Sequence, residues 1–202
     1  MLQYQERSVY SAYRYIAGVD EAGRGPWAGP VVAAAVILPT GYRNELINDS
    51  KKLTPHARET LFDVIQKDAL AIGVALVDAD TIDKINILQA TKRAMRMALD
   101  SLAVKPDYVM LDAVTLPDLP MPQEGIVHGD ALALPIAAAS IIAKVTRDRL
   151  MIELHQSYPA YRFDLHKGYG TALHLRALRM HGPITGVHRL SYRPIKELLL
   201  SK

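Results

Sequence analysis

The sequence predicts an α/β domain built on a mixed β-sheet. Three observations carry that expectation. Short apolar runs of five to nine residues are closed by Gly, Pro or Asp, which favours strands over helices. Segments with helical apolar spacing fall between and after them. Three strand-like runs come first, and two more follow a helical segment, an order that suits a mixed sheet flanked by helices.

The strands are expected at 15–19 (YIAGV), 31–38 (VVAAAVIL), 69–77 (ALAIGVALV) and Tyr108–Asp112 (YVMLD), with a short fifth at 125–128. The first helix should start at Thr54-Pro55, a side-chain cap followed by proline at the first helical position, with Leu61, Phe62 and Ile65 on one face. A single helix is expected over 81–102, carrying Ile85, Leu88, Met95, Ala98 and Leu102 at helical spacing. Another covers 136–156. A last one covers 171–180 and stops at His181-Gly182-Pro183.

The 202 residues fit one compact domain with a small appendage. We expect a body over 1–157 and a C-terminal helical segment over 158–202 that packs on it. The apolar runs are too short to span a bilayer, and MLQYQERSVY holds no apolar signal core. There are no cysteines, which rules out disulfides and thiolate zinc sites and suits a cytoplasmic protein. The net charge is +3, but residues 142–202 hold 11 Lys/Arg against 4 Asp/Glu, while the rest holds 13 against 17. A basic end on an acidic body fits a polyanionic partner, or simply a solvated basic helical surface.

The turn GRGPWAG (23–29) has glycines at 23, 25 and 29. That spacing is one residue too long for a dinucleotide loop, and a strand rather than a helix follows, so no helix N-terminus is there to receive a pyrophosphate. The phosphate-loop pattern is absent too. What remains is a sharp turn whose glycines admit a ligand close to the main chain, with Arg24 beside it. A plain strand-to-strand turn explains the glycines as well.

Asp20 and Glu21 are adjacent, and in a continuous strand they would point to opposite faces. The glycines suggest that the strand ends first, which would bring both to one edge. Asp112 ends another strand, and Asp130 follows a short one. Ligands of α/β sheets bind beyond such strand ends. Taken singly, Asp130 could be a helix cap, Asp112 the start of a turn toward Pro117, and Glu21 a solvated turn residue. Taken together, clustered carboxylates ionise only if cations offset them. An all-oxygen set selects Mg²⁺ or Mn²⁺, and two such ions can cleave a phosphodiester. Two rival readings are a non-catalytic nucleic-acid binding module and a zinc hydrolase built from His155, His166, His174, His181 and His188. No H-E-x-x-H spacing supports the second, and surface or backbone-binding histidines explain these residues better.

The blocks GVDEAGRGPWAGPVVAAAV, NDSKKLT, YVMLDA, HGD…IAAASIIAKVTRD, YPAYRFDLHKGYGT and HRLSYRP, in this order, resemble the ribonuclease HII family over nearly the whole chain. The resemblance implies a ribonuclease H-like fold with a five-stranded mixed sheet and a C-terminal helical segment. It implies a monomer that cuts RNA in RNA–DNA hybrids, and cuts 5′ of single ribonucleotides in duplex DNA, leaving 3′-hydroxyl and 5′-phosphate ends. The family's metal-binding acids fall on Asp20, Glu21, Asp112 and Asp130, its ribose 2′-hydroxyl reader on Gly23, Arg24 and Gly25, and its junction-sensing tyrosine on Tyr169. Ser50, Lys51, Ser140 and Lys144 lie in blocks the family uses near the nucleic-acid backbone. Leu132, Leu134-Pro135 and Ala113 depart from the family pattern. Ala113 stands where glycine is common, and Leu132 where a basic residue is common.

Overall fold

The computed structural model describes Tyr4 and residues 10–200. The reading of the first ten residues therefore lies outside it, apart from Tyr4 and Tyr10. Five strands form one sheet: β1 (Ile16–Ala22), β2 (Val31–Ile37), β3 (Ala71–Val77), β4 (Tyr108–Asp112) and β5 (Gln123–Ile126). Their spatial order is β3-β2-β1-β4-β5. β1–β2 and β2–β3 are antiparallel, and β1–β4 and β4–β5 are parallel. The mixed sheet and its strand count are those the sequence predicts.

Strand alternation assigns each face. On β2, Val31, Ala33, Ala35 and Ile37 pack with Ala90, Ala94, Met95 and Ala98 of α3 (Ile87–Asp100). Ala34 and Val36 pack instead with Leu61, Phe62 and Ile65 of α1 (Pro55–Asp68) and with the alanine-rich side of α5 (Leu134–Ser157). Every residue of β2 is buried, because both faces of the central sheet are covered. The start of α5 comes so close that Gly18 admits no side chain. A Cβ there would lie 2.1 Å from the Pro135 carbonyl carbon and 2.3 Å from the Ile136 nitrogen.

Capping follows the sequence at α1, where the Thr54 hydroxyl accepts from the Ala57 N–H at 3.2 Å. The unusual Leu134-Pro135 opens α5, where a proline fits the first turn without losing a hydrogen bond. The single helix expected over 81–102 is two helices, α2 (Ala79–Ile85) and α3. Asn86 breaks them at φ 65°, and its side chain accepts from the Gln89 N–H at 3.1 Å. The apolar period runs on across the break, so the pattern alone reads as continuous. The fifth strand lies two residues earlier than expected. The C-terminal part holds α6 (Phe163–His166), α7 (Ala172–His181) and α8 (Arg193–Leu200). Phe163, Leu178 and Ile195 from this part share a cluster with Ala28 and Met151, which fixes the segment to α5 and to the turn after β1.

Ala113 sits at φ 53°, a left-handed conformation that disfavours a Cβ and explains why glycine suits this position. Ala113→Gly is therefore expected to gain about 0.5–1 kcal/mol, the relieved strain less the extra freedom of unfolded glycine. Gly18→Ala is expected to cost about 3 kcal/mol or more, because backbone must move to admit the methyl group. Thermal melts check both, with a rise of a few degrees for the first and a fall of roughly 6–12 °C for the second.

Candidate active site

The site lies where β1 and β4 end. The parallel register pairs Val19 with Leu111, so Asp20 and Asp112 follow as neighbours on adjacent strands, spaced by about 4.8 Å in the hydrogen-bonding direction. Both project toward the α5 side of the sheet, because Val19 and Leu111 project toward α3. Asp130 joins them from the first turn of α4 (Gly129–Leu132). The preceding Gly129 N–H donates to Asp112 Oδ1 at 2.8 Å, which ties that turn to the end of β4. Asp130 makes no side-chain cap there, and Asp112 serves this bond rather than a turn toward Pro117.

β1 does not end before the acids; it runs through Ala22. Asp20 pairs with Ala34 and Glu21 with Ala33, whose side chains belong to opposite faces. Glu21 thus enters from the other side of the pleat. Its Oε1 meets Arg24 Nη1 at 3.2 Å, while its Oε2 is buried with no hydrogen-bond partner. Asp20 is buried, and its Oδ1 accepts from the Glu21 N–H at 2.6 Å. Lys51 Nζ reaches Asp130 Oδ2 at 3.3 Å.

The electrostatics are those of an unbalanced pocket. Burial first, then the charges of Glu21 and Asp112, push the Asp20 carboxyl well above its ordinary range. Glu21 is also raised, mainly by burial, against the opposing pull of Arg24. Asp112 is raised by burial, with the Gly129 N–H pulling the other way. Partial burial lowers Lys51, but the combined pull of Asp130, Asp20 and Asp49 outweighs it and leaves the ammonium raised.

This donor set fits hard divalent cations: four carboxylates, no sulfur, and one buried oxygen with no proton to accept. Among the described residues, no three histidine or carboxylate side chains form a ready-made cation cage. The reason is visible in the bonds. Asp20 and Asp112 each turn one oxygen to a main-chain N–H, and Glu21 and Asp130 lean on Arg24 and Lys51. Side-chain rotation toward a shared cation is what would complete the set.

Beside the acids lies the turn at residues 23–25. A Cβ on Gly23, which sits at φ 100°, would lie 2.2 Å from Arg147 Nε, so only glycine fits. A Cβ on Gly25 would meet Tyr169 Cε1 at 3.9 Å, which puts the half-exposed tyrosine ring next to the turn. Lys144 Nζ and Arg147 Cζ each lie 5.8 Å from the centre of that ring, and Lys144 pairs with Asp148 at 2.7 Å. Ser50 and Ser140 are buried: the Ser140 hydroxyl accepts from the Ser50 N–H at 3.3 Å and donates to the Ala137 carbonyl at 2.9 Å. That linkage holds the Lys51 loop against α5. Leu132 is half exposed on α4.

Two arginines that the sequence reading passed over are fully buried here. Arg147 donates to the carbonyls of Pro30, Lys167 and Ala28 at 3.0–3.1 Å. Arg189 donates to those of Gly23, Arg24 and Gly29. An arginine in a basic stretch looks like a surface residue, and only the shared face of Ala143, Arg147 and Met151 hints otherwise. Three histidines are likewise internal. His166 Nδ1 accepts from the Gly168 N–H and its Nε2 donates to the Tyr161 carbonyl. His188 Nδ1 accepts from the Ile184 N–H, so its Nε2 donates to His174 Nε2 at 3.1 Å, and His174 Nδ1 donates to the Tyr169 carbonyl. Every ring nitrogen is engaged, which leaves no lone pair for zinc. Burial pushes both His174 and His188 down to about 4. These three histidines are not surface residues: they bond the protein's own main chain from the interior. His155 pairs with Asp164 at 3.3 Å, and His181 is exposed.

A family model described as Ribonuclease HII matches residues 17–194. The chain is 53% identical over 199 residues to ribonuclease HII of Enterococcus faecalis, covering 98% of this chain and 77% of that relative. The crystal structure of ribonuclease H2 from Pyrococcus horikoshii superposes with a TM-score of 0.77 at 29% identity, covering 93% of this chain and 98% of that one. The structure of Bst-RNase HIII in complex with Mn²⁺ shares the fold, with a TM-score of 0.73 at 19% identity over 93% of this chain and 70% of that one. No helix among the described residues is long and apolar enough to cross a membrane. The match along almost the whole sequence and the shared fold lead to one conclusion: this chain belongs to the ribonuclease HII family, endoribonucleases that cut RNA in RNA–DNA hybrids and ribonucleotides embedded in DNA.

Proposed function

We propose that Asp20, Glu21, Asp112 and Asp130 are the catalytic, metal-binding acids of this endoribonuclease, and that it cuts on the 5′ side of an embedded ribonucleotide, leaving 3′-hydroxyl and 5′-phosphate ends. The observation that carries this reading is the convergence of four carboxylates at the ends of β1 and β4, with Asp20 raised by burial and by the charges of Glu21 and Asp112, and Asp112 raised by burial and by the charge of Asp130. Two divalent ions, Mg²⁺ or Mn²⁺, would supply the Lewis acidity and the activated nucleophile of phosphodiester hydrolysis. Asp20 and Asp112 hold one side of the pocket, Glu21 closes it through the pleat, and Asp130 closes it from α4. Asp20 is also the acid best placed to hold a proton, since burial disfavours its charge most.

The remaining residues seat the substrate. The ribose 2′-hydroxyl distinguishes RNA from DNA and lies in the minor groove. Main-chain groups of Gly23, Arg24 and Gly25, bared by the missing side chains, would hydrogen-bond it. Tyr169, beside Gly25, would pack on the following sugar, where a deoxyribose leaves room for the ring. Lys51, exposed along most of its length, and Lys144 would meet phosphates. Ser50 and Ser140 would support them by fixing the loop. In this reading residues 1–157 carry the chemistry and 158–202 carry substrate contacts. One chain supplies every named group, which supports a monomer, and a substrate within duplex DNA supports a cytoplasmic place of action.

Asp20→Asn tests the reading. Cleavage of a duplex with one ribonucleotide should fall by more than ~100-fold, beyond what the loss of a supporting contact costs, with duplex binding retained. A matched all-DNA duplex should stay intact, and mapping should place the cut 5′ of the ribonucleotide. Cleavage that persists in excess EDTA would overturn it. The same substitution should raise the melting temperature in EDTA at pH 8. A carboxyl whose pKa is raised on folding destabilises the folded state above its unfolded pKa of ~3.9. Stability without metal therefore falls as pH rises, and an amide removes that penalty.

A further inference from the structure

The motif HRLSYRP contributes a residue whose bonds bear on the turn at 23–25. Arg189 is completely buried. A guanidinium has five N–H donors, and all five are used. Nε donates to the Gly29 carbonyl at 3.1 Å. Nη1 donates to the Arg24 carbonyl at 2.9 Å and to the Tyr192 hydroxyl at 2.8 Å. Nη2 donates to the Gly23 carbonyl at 2.6 Å and again to Gly29 at 2.9 Å. The Tyr192 hydroxyl in turn donates to the Arg24 carbonyl at 2.7 Å. Main-chain bonds from Arg189 N–H to Trp27 and from Gly29 N–H to Val187, both at 2.8 Å, lock the two segments side by side.

The consequence lies in peptide geometry. The peptide bonds here are trans, so each carbonyl points opposite to the N–H of the next residue. Drawing the Gly23 and Arg24 carbonyls onto one buried guanidinium turns the Arg24 and Gly25 N–H groups outward. Among the described residues neither N–H has a hydrogen-bond acceptor. They open beside Tyr169, 3.9 Å from where a Gly25 Cβ would stand. A buried cation is costly to desolvate, and an apolar side chain would fill the same volume. What the guanidinium adds is a planar five-donor fork that no other residue supplies.

We propose that Arg189, braced by Tyr192, is a positioning residue that sets the two outward N–H groups of the turn for ribose recognition and so determines ribonucleotide specificity. The inference rests on the reading of Gly23, Arg24 and Gly25 as the ribose reader.

The test uses Arg189→Lys, which keeps the charge but offers three donors without the planar fork, and Tyr192→Phe, which removes one hydroxyl. Thermal melts establish that each variant is folded at the assay temperature. Two quantities are compared with the wild type: kcat/KM with Mg²⁺ on a duplex holding one ribonucleotide, and the inhibition constant of a matched all-DNA duplex. Arg189→Lys should lower kcat/KM by about 10–100-fold, the scale of a 1 Å misplacement. Tyr192→Phe should lower it by about 3–10-fold, the loss of one hydrogen bond. The inhibition constant should stay within about twofold in both, since phosphate contacts carry no sugar information. Unchanged kcat/KM, or an equal loss on both duplexes, overturns the proposal. If Arg189→Lys fails to fold, Tyr192→Phe decides alone by the same criteria. A wild-type enzyme that cuts the all-DNA duplex as well as the ribonucleotide duplex would instead sink the reading of the turn itself.

Discussion

The parallel pairing of β1 with β4 sets two acids side by side at the end of a buried sheet. Asp20 and Asp112 share one face, and neither can leave it without breaking the ladder that pairs Val19 with Leu111. The cores on both faces fix the alternation, because a slip of one residue would turn Val19 outward and Asp20 into the α3 packing. The same register that builds the hydrophobic core therefore imposes electrostatic repulsion at its edge. Burial, and then the charge of neighbouring carboxylates, raises Asp20, Glu21 and Asp112. Arg24 and Lys51 offset only the outer pair. The fold's own constraints thus leave a pocket of uncompensated carboxylates where its strands stop.

The turn beside the acids is built by the opposite means. Around the turn at 23–29 there is little regular structure, and the carbonyls of Gly23, Arg24, Ala28 and Gly29 accept from guanidinium groups. Arg147 rises from α5 beneath Gly23, and Arg189 arrives from the C-terminal segment. The Trp27 N–H donates to the Gly168 carbonyl at 2.8 Å, and His174 fixes the Tyr169 carbonyl. The glycine turn and Tyr169, about 145 residues apart in the chain, are thus parts of one hydrogen-bonded assembly around the cluster of Phe163, Leu178 and Ile195. The acids supply charge and the assembly supplies shape, and both meet at the end of β1.

Sheet and acids were legible from the sequence because they follow from local pattern. The short apolar runs gave the strands, Thr54-Pro55 gave the start of α1, and acids at strand ends gave the pocket. What escaped notice depends on non-local contacts. The period across Asn86 is unbroken, and only its left-handed backbone splits α2 from α3. That Glu21 enters through the pleat follows from β1 running on to Ala22, where the glycines suggested an earlier stop. Arg147 and Arg189 carry no apolar signature, and most of the carbonyls that hold them lie far away in the chain, outside any window of sequence. The buried histidines bond near neighbours in the chain, but no apolar pattern marks their burial. Ala113 was visible as a departure from the family pattern, and its φ of 53° supplies the reason.

Calorimetric titration with Mn²⁺ near pH 6, in buffers of differing ionisation enthalpy, tests the central claim most directly. A pocket that holds protons because its acids repel should release them when a divalent ion binds. The account predicts Mn²⁺ binding with net proton release, tightening as pH rises and much weakened in Asp20→Asn. Binding with no proton release and unchanged affinity in Asp20→Asn, or no binding at all, would contradict it.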